Sequence, residues 1–307
     1  MNANAATVAP TPAILRRAGT LDTIVALVRR ELWEHRSLWI AALVVQGVLA
    51  VLLLIGRINL DLPEQVLTEE QRVAVFTIGQ WLAAQPLFIT MGIVVAFYLL
   101  DCLYAERKDR SILFWKSLPL SDELTVGSKL LVAAVVVPLG AFVLASASDL
   151  VFAAIFAGRV HGVISWNTYE WLRTELALLL ECVFGVLWYA PIAGALLLFS
   201  AWIRRNPILW ATLIPLVAPI VERVGLGTHY IWSFEHYRAF GIWQKLLSGP
   251  DLFDKSSLHH NLPPVGVVLD TVNLRGAFTD IDLWLGVIAA LAMAYAAARV
   301  RRYRDDT

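Results

Sequence analysis

Long apolar runs alternate with short polar breaks along almost the whole chain, and the lengths of the runs carry the first inference. Runs over 37–55, 84–104, 129–157, 171–201, 207–224 and 281–298 are long enough, or nearly so, to cross a hydrocarbon core of about 30 Å at about 1.5 Å per helical residue. Helices are expected, because lipid offers no partner to a bare backbone amide. The fifth run is the weakest: Pro215 and Pro219 interrupt it, and Glu222 and Arg223 end it. Ahead of the first run, Leu21, Ile24, Val28 and Leu32 recur at helical spacing, while Arg29, Arg30, Glu31 and Glu34 fall largely elsewhere. This predicts an amphipathic helix that either lies along the inner surface or extends the first span into the cytosol. The expected fold is an all-α polytopic membrane protein, with a disordered cytoplasmic tail over 1–20 and one transmembrane domain over 21–307.

The break between the second and third runs is unusual. Glu106, Arg107, Lys108, Asp109 and Arg110 are followed by Ile112, Leu113, Phe114 and Trp115, with no Gly or Pro from Ala105 to Ser117. A short helix over about 105–118 is expected, ended by Pro119, which lacks a donor and forces Leu118 extended. Ser121 or Asp122 then caps the next helix, whose positive end suits Asp122 and Glu123. Either the short helix sinks among lipid headgroups, or it is a docking knob for a cytosolic partner.

Composition agrees with the pattern: 58% of the 307 residues are hydrophobic, 16% are charged and the mean hydropathy is +0.65, too apolar for one soluble core. Most of the 25 basic residues fall on one side if both termini are cytoplasmic, among them Arg29, Arg30, Arg36, Arg107, Lys108, Arg110, Lys129, Arg204, Arg205, Arg301 and Arg302. That bias sets the orientation. Trp33, Trp39, Trp81, Trp166, Trp171, Trp202, Trp210 and Trp284 fall near predicted span ends and read as interface anchors. Net charge is zero and no basic stripe is interleaved with aromatics, so nucleic acid is not an expected partner. Cys102 and Cys182 lie inside spans, which argues against a disulfide framework.

The stretch YAERKDRSILFWKSLPLSDELTVGSKLL, Tyr104 to Leu131, resembles the segment after the second span in type-two permeases of ATP-binding-cassette (ABC) transporters. There a Glu-Arg-basic-acidic run leads into an aromatic-containing helix, then Ser-Leu-Pro and a Ser-started third span. The wider plan is also similar. The resemblance implies an elbow helix, a cytoplasmic coupling helix seated on an ATPase subunit, and re-entrant or interfacial helices in the external segment 225–280. Carried over, Glu106, Arg107, Asp109, Arg110, Phe114 and Trp115 would make the ATPase contact. It further implies an exporter subunit in the bacterial plasma (inner) membrane, paired with a second copy or a paralogue. ATP and Mg would bind the partner ATPase and no cofactor this chain.

The chain's own chemistry is sparse. VGSKL at Val126 to Leu130 has a Gly and a Lys but lacks the leading Gly, the Gly-Lys pair and the Ser/Thr after it that a phosphate-cradling loop needs, and no zinc-protease or serine-hydrolase motif occurs. No enzymatic role is therefore expected. Asp101, Asp149, Glu175, Glu181 and Glu222 are acids in or beside apolar runs, which are costly at membrane depth and often functional. Glu181 is the deepest and would either pair across helices or touch a cationic substrate. With Pro215 and Pro219 it is the candidate for the substrate pathway. Glu175 points about 120° away from it on a helix. Pro138, Pro191, Pro215 and Pro219 each permit a kink. Gly286, Ala290, Ala294 and Ala298 form a smooth stripe suited to close packing within the chain. His161, His229, His236, His259 and His260 match no compact ligand spacing and read as surface residues. A proton-coupled secondary carrier using Asp149, Glu175 and Glu181 is the alternative function; an intramembrane enzyme lacks a nucleophile–base pair.

Overall fold

The computed structural model describes residues 20–56, 68–117, 120–159, 165–246 and 274–303. Among these there is no strand. The helices are α1 (Thr20–Glu34), α2 (Ser37–Ile55), α3 (Glu69–Asp101), α4 (Tyr104–Lys108), α5 (Ile112–Ser117), α6 (Asp122–Leu131), a π-helical turn (Val132–Val136), α7 (Val137–Arg159), α8 (Thr168–Trp202), α9 (Pro207–Leu226), α10 (Tyr230–Leu246), α11 (Leu274–Thr279) and α12 (Ile281–Tyr303). Among the described residues, six stretches are long and apolar enough to cross a membrane: Ser37–Ile55, Arg72–Lys108, Asp122–Gly158, Thr168–Trp202, Pro207–Leu226 and Ile281–Tyr303. The chain is a multi-pass helical membrane protein.

Spans two and three are much longer than their apolar runs. The second helix begins at Glu69, because Thr77, Gly79 and Gln80 dilute hydropathy without breaking helical hydrogen bonds. Pro86 lies inside it, and Thr90 Oγ donates to the Pro86 carbonyl. In the third, the N–H of Val137 reaches back to the carbonyl of Val132, a wide turn placed directly before Pro138. Asn167 caps α8 by accepting from the amides of Tyr169 and Glu170 at 3.0 and 3.4 Å, and Ser121 caps α6 by accepting from Leu124 at 3.1 Å.

The helix α8 is the centre of the bundle, with α12 along one side and α3 along another. The small-residue stripe explains the α8–α12 contact. Gly286, Ala290, Ala294 and Ala298 are buried, and a Cβ at Gly194 of α8 would lie 2.8 Å from the Ala290 Cα. Likewise a Cβ at Gly140 would fall 2.0 Å from the Trp39 ring, so α2 and α7 meet through that glycine. Trp39 is thus a packing residue as well as one near a span end.

Between α9 and α12 the chain makes a braced corner. Gly227 at φ 68° ends α9 in the left-handed region that glycine favours. Glu222 then accepts from Thr228 Oγ and from the amides of Tyr230 and Ile231, all at 2.7 Å, capping α10. Arg238 of α10 is buried against the Trp188 ring and donates to the Asp282 carbonyl at 2.7 Å; Trp188 Nε1 donates back to the Arg238 carbonyl at 2.9 Å. The segment between α9 and α12 therefore contains a 17-residue helix fastened to α8 and to the start of α12. Residues 247–273, with His259 and His260, and the expected tail over 1–20 except Thr20 lie outside the described residues, as does His161.

Candidate functional site

The charged break between spans two and three forms a two-helix tip at one end of the bundle. At its base the break between α3 and α4 frees the amides of Leu103 and Tyr104, and Ser200 Oγ of α8 accepts from both at 3.1 Å. Arg107 returns the interaction by donating to the carbonyls of Ser200 and, at 2.9 Å, Ile203, groups that the end of α8 leaves without helical partners. The α4 helix stops at Asp109, and Arg110 at φ 56° turns the corner into α5. A non-glycine residue there costs about 1–2 kcal/mol.

Beneath the tip lies a buried chain of alternating charge. Lys129 of α6, 1% exposed, bonds Glu31 of α1 at 2.7 Å and meets Glu106 of α4 at 3.1 Å. Arg301 of α12 donates to the other Glu106 oxygen and, at 2.9 Å, to Asp122. Tyr98 of α3 donates to Glu31 at 2.9 Å. Five helices thus converge on five charges, each with an opposite neighbour, as burial in a low-dielectric interior demands.

This geometry places the residues of the expected contact surface in different surroundings. Glu106 and Arg107 face inward, because the ends of α8 and α12 supply their partners. Lys108, Asp109 and Arg110 are exposed at the corner. Trp115 is half-buried, with the Arg30 guanidinium 3.5 Å from its ring centroid, so one ring face is used within the chain. The side chain of Phe114 lies outside the described residues. Asp122, expected as a possible cap, turns to Arg301 and leaves capping to Ser121.

Inside the bundle, Glu181 accepts from Trp81 Nε1 at 3.0 Å and from Gln85 Nε2 at 3.2 Å. Trp81 is therefore no interface anchor; it serves an acid on a neighbouring helix. Pro219 is buried and Pro215 exposed on α9, whereas the partners of Glu181 come from α3. Glu31, Glu34 and His35 bring ligand atoms within 4.8 Å of one another, but Glu31 is engaged by Lys129 and Tyr98, and Glu34 by Arg30 at 2.7 Å. That arrangement is an ion-pair group and not a cation cage. Sequence reasoning missed Glu31, Lys129 and Arg301 as a unit. The available signal was charge at the rim of apolar runs, which spacing cannot assign to partners.

No protein-family model, curated protein or solved structure matches this chain.

Proposed function

We propose that this chain is the membrane-spanning subunit of an ABC-type exporter, working with a second copy or a paralogue and driven by a separate ATPase that binds ATP and Mg. In this reading the membrane is the bacterial plasma membrane, the termini are cytoplasmic and α4–α5 is the coupling element. One observation carries it: the exposed corner Lys108–Asp109–Arg110 stands on a buried charge chain that joins α4 to α1, α6 and α12. A loop that only connected two spans would not need its first helix fixed to three others. A push on α4 reaches those helices through Glu106, and reaches the end of α8 through Arg107 and Ser200. Pairing with another copy fits the broad apolar exposure of α9, which lipid or a second subunit would cover.

The test is co-purification from native membranes at matched levels of tagged protein. Wild-type chain is expected to retain an ATPase. The double reversal Asp109→Arg with Arg110→Glu should reduce the retained ATPase several-fold, most at low ionic strength, where exposed charges are least screened. A wild-type preparation without ATPase, or full retention in the reversed variant at low salt, would overturn the reading.

A further inference from the structure

Far from the charge chain, α7 and α8 bring two carboxylic acids together inside apolar helices. Asp149 is 1% exposed and Glu175 8%, and a contact from Glu175 to α7 one turn before Asp149 sets the two acids beside each other at the α7–α8 seam. Ser146, one turn before Asp149, donates its hydroxyl to Glu175 Oε2. From α3 the fully buried Gln80 donates Nε2 to the Asp149 backbone carbonyl at 3.5 Å. Its own Oε1 finds no donor, and neither do the two Asp149 oxygens or Glu175 Oε1.

Trp171 Nε1, one turn before Glu175 on α8, is likewise buried without a partner and is a donor available to Glu175, so the shortage of hydrogens falls on Asp149 and Gln80. Among the described residues, no cation on the surrounding helices relieves it. Between Ser37 and Ile55, α2 has no ionisable side chain; α3 has none between Arg72, two turns before Gln80, and Tyr98. On α8, Arg173 is paired with Glu170 at 3.5 Å, and Glu181 is held by Trp81 and Gln85. The α12 face runs without charge from Asp282 to Arg299. Two bare carboxylates side by side in such surroundings would repel each other, and that of Asp149 would have no hydrogen-bond donor at all, each a cost of several kcal/mol.

We infer that Asp149 and Glu175 form a proton-binding site, one proton being shared between the two carboxyls. The proton sits on Asp149, whose O–H donates to Glu175; the remaining negative charge stays on Glu175, where the Ser146 hydroxyl already donates. One hydrogen thus turns an acceptor–acceptor contact into a hydrogen bond. Hard metal ions take six to eight oxygens, whereas the unpartnered oxygens here come from three side chains only. The inference does not depend on an ATPase partner.

Infrared spectroscopy of the full chain in lipid nanodiscs tests it. At neutral pH the wild type should show a protonated-carboxyl stretch that shifts when aspartate carries heavy-isotope carboxyl carbon and stays when glutamate does. Asp149→Asn and Glu175→Gln should each abolish that band, and Glu181→Gln should keep it. Because the isotope shift is read on unmutated protein, a variant that fails to fold does not spoil the test. Absence of the band in wild type, a band that shifts only with labelled glutamate, or its loss on adding sodium or calcium at constant pH would overturn the assignment.

Discussion

Lys129 is a whole ammonium group placed where almost no water reaches it, and its environment explains why it stays. Glu31 and Glu106 flank it from two other helices, so removing the cation leaves two buried carboxylates without their shared counter-charge. Breaking such a pair from one side costs about 3–5 kcal/mol. Lys129→Met should therefore lower the unfolding temperature in detergent clearly, and a midpoint equal to wild type would show that the ammonium is dispensable. Little of this was legible beforehand. Lys129 and Glu31 are separated by nearly a hundred positions, and periodicity gives the face a residue takes on its own helix but not the register between helices. Glu181 was legible as a buried acid, yet its donors Trp81 and Gln85 were not. Tryptophan near a predicted span end is ambiguous between an anchor and a hydrogen-bond donor until the neighbouring helix is known.

At the scale of elements, the structure ties α10 to the start of α12 through Lys245 and Asp280, 2.6 Å apart. The hydrogen bond from Lys245 holds the Asp280 carboxyl below its ordinary value near 3.8 and holds the Lys245 ammonium above its ordinary 10.5. The carboxyl's contribution is present above its unfolded value and is lost as pH falls through the lower folded one. The ammonium's contribution is present below its unfolded value and is lost as pH rises through the higher folded one. The tie is thus complete between roughly pH 4 and 10. Since Lys245 is more than a third exposed, solvent keeps the effect small. Asp280→Asn should flatten the acid side of a plot of thermal stability against pH; an unchanged acid slope would mean that the pair does not brace α10. Helix existence was well read from apolar runs here, and α10 was anticipated only among the re-entrant or interfacial helices that the resemblance implied for 225–280. Its fastening by Arg238, Glu222 and Gly227 needed the corner geometry, which no local pattern encodes.

For the molecule as a whole, the apolar runs were enough to reveal a bundle, because span length and lipid exclusion leave helices few alternatives. The small-residue stripe also pointed to a close partner for the last helix, and α8 fills that place. What single-helix patterns did not reveal is that the long third span, α6 through α7, serves two separate sites: Lys129 near one end and Asp149 further along, with the wide π turn between them. That turn holds one residue more than an ordinary helical turn requires, and the two sites are phased around it. Loss of one codon within 132–136 would close the turn to ordinary helix, kinked at Pro138, and leave each site facing its own partners. The same loss beyond Pro138 would swing Ser146 and Asp149 by about 100° away from Glu175. Inherited changes of length in this helix are therefore tolerable at the wide turn and ruinous a few residues later.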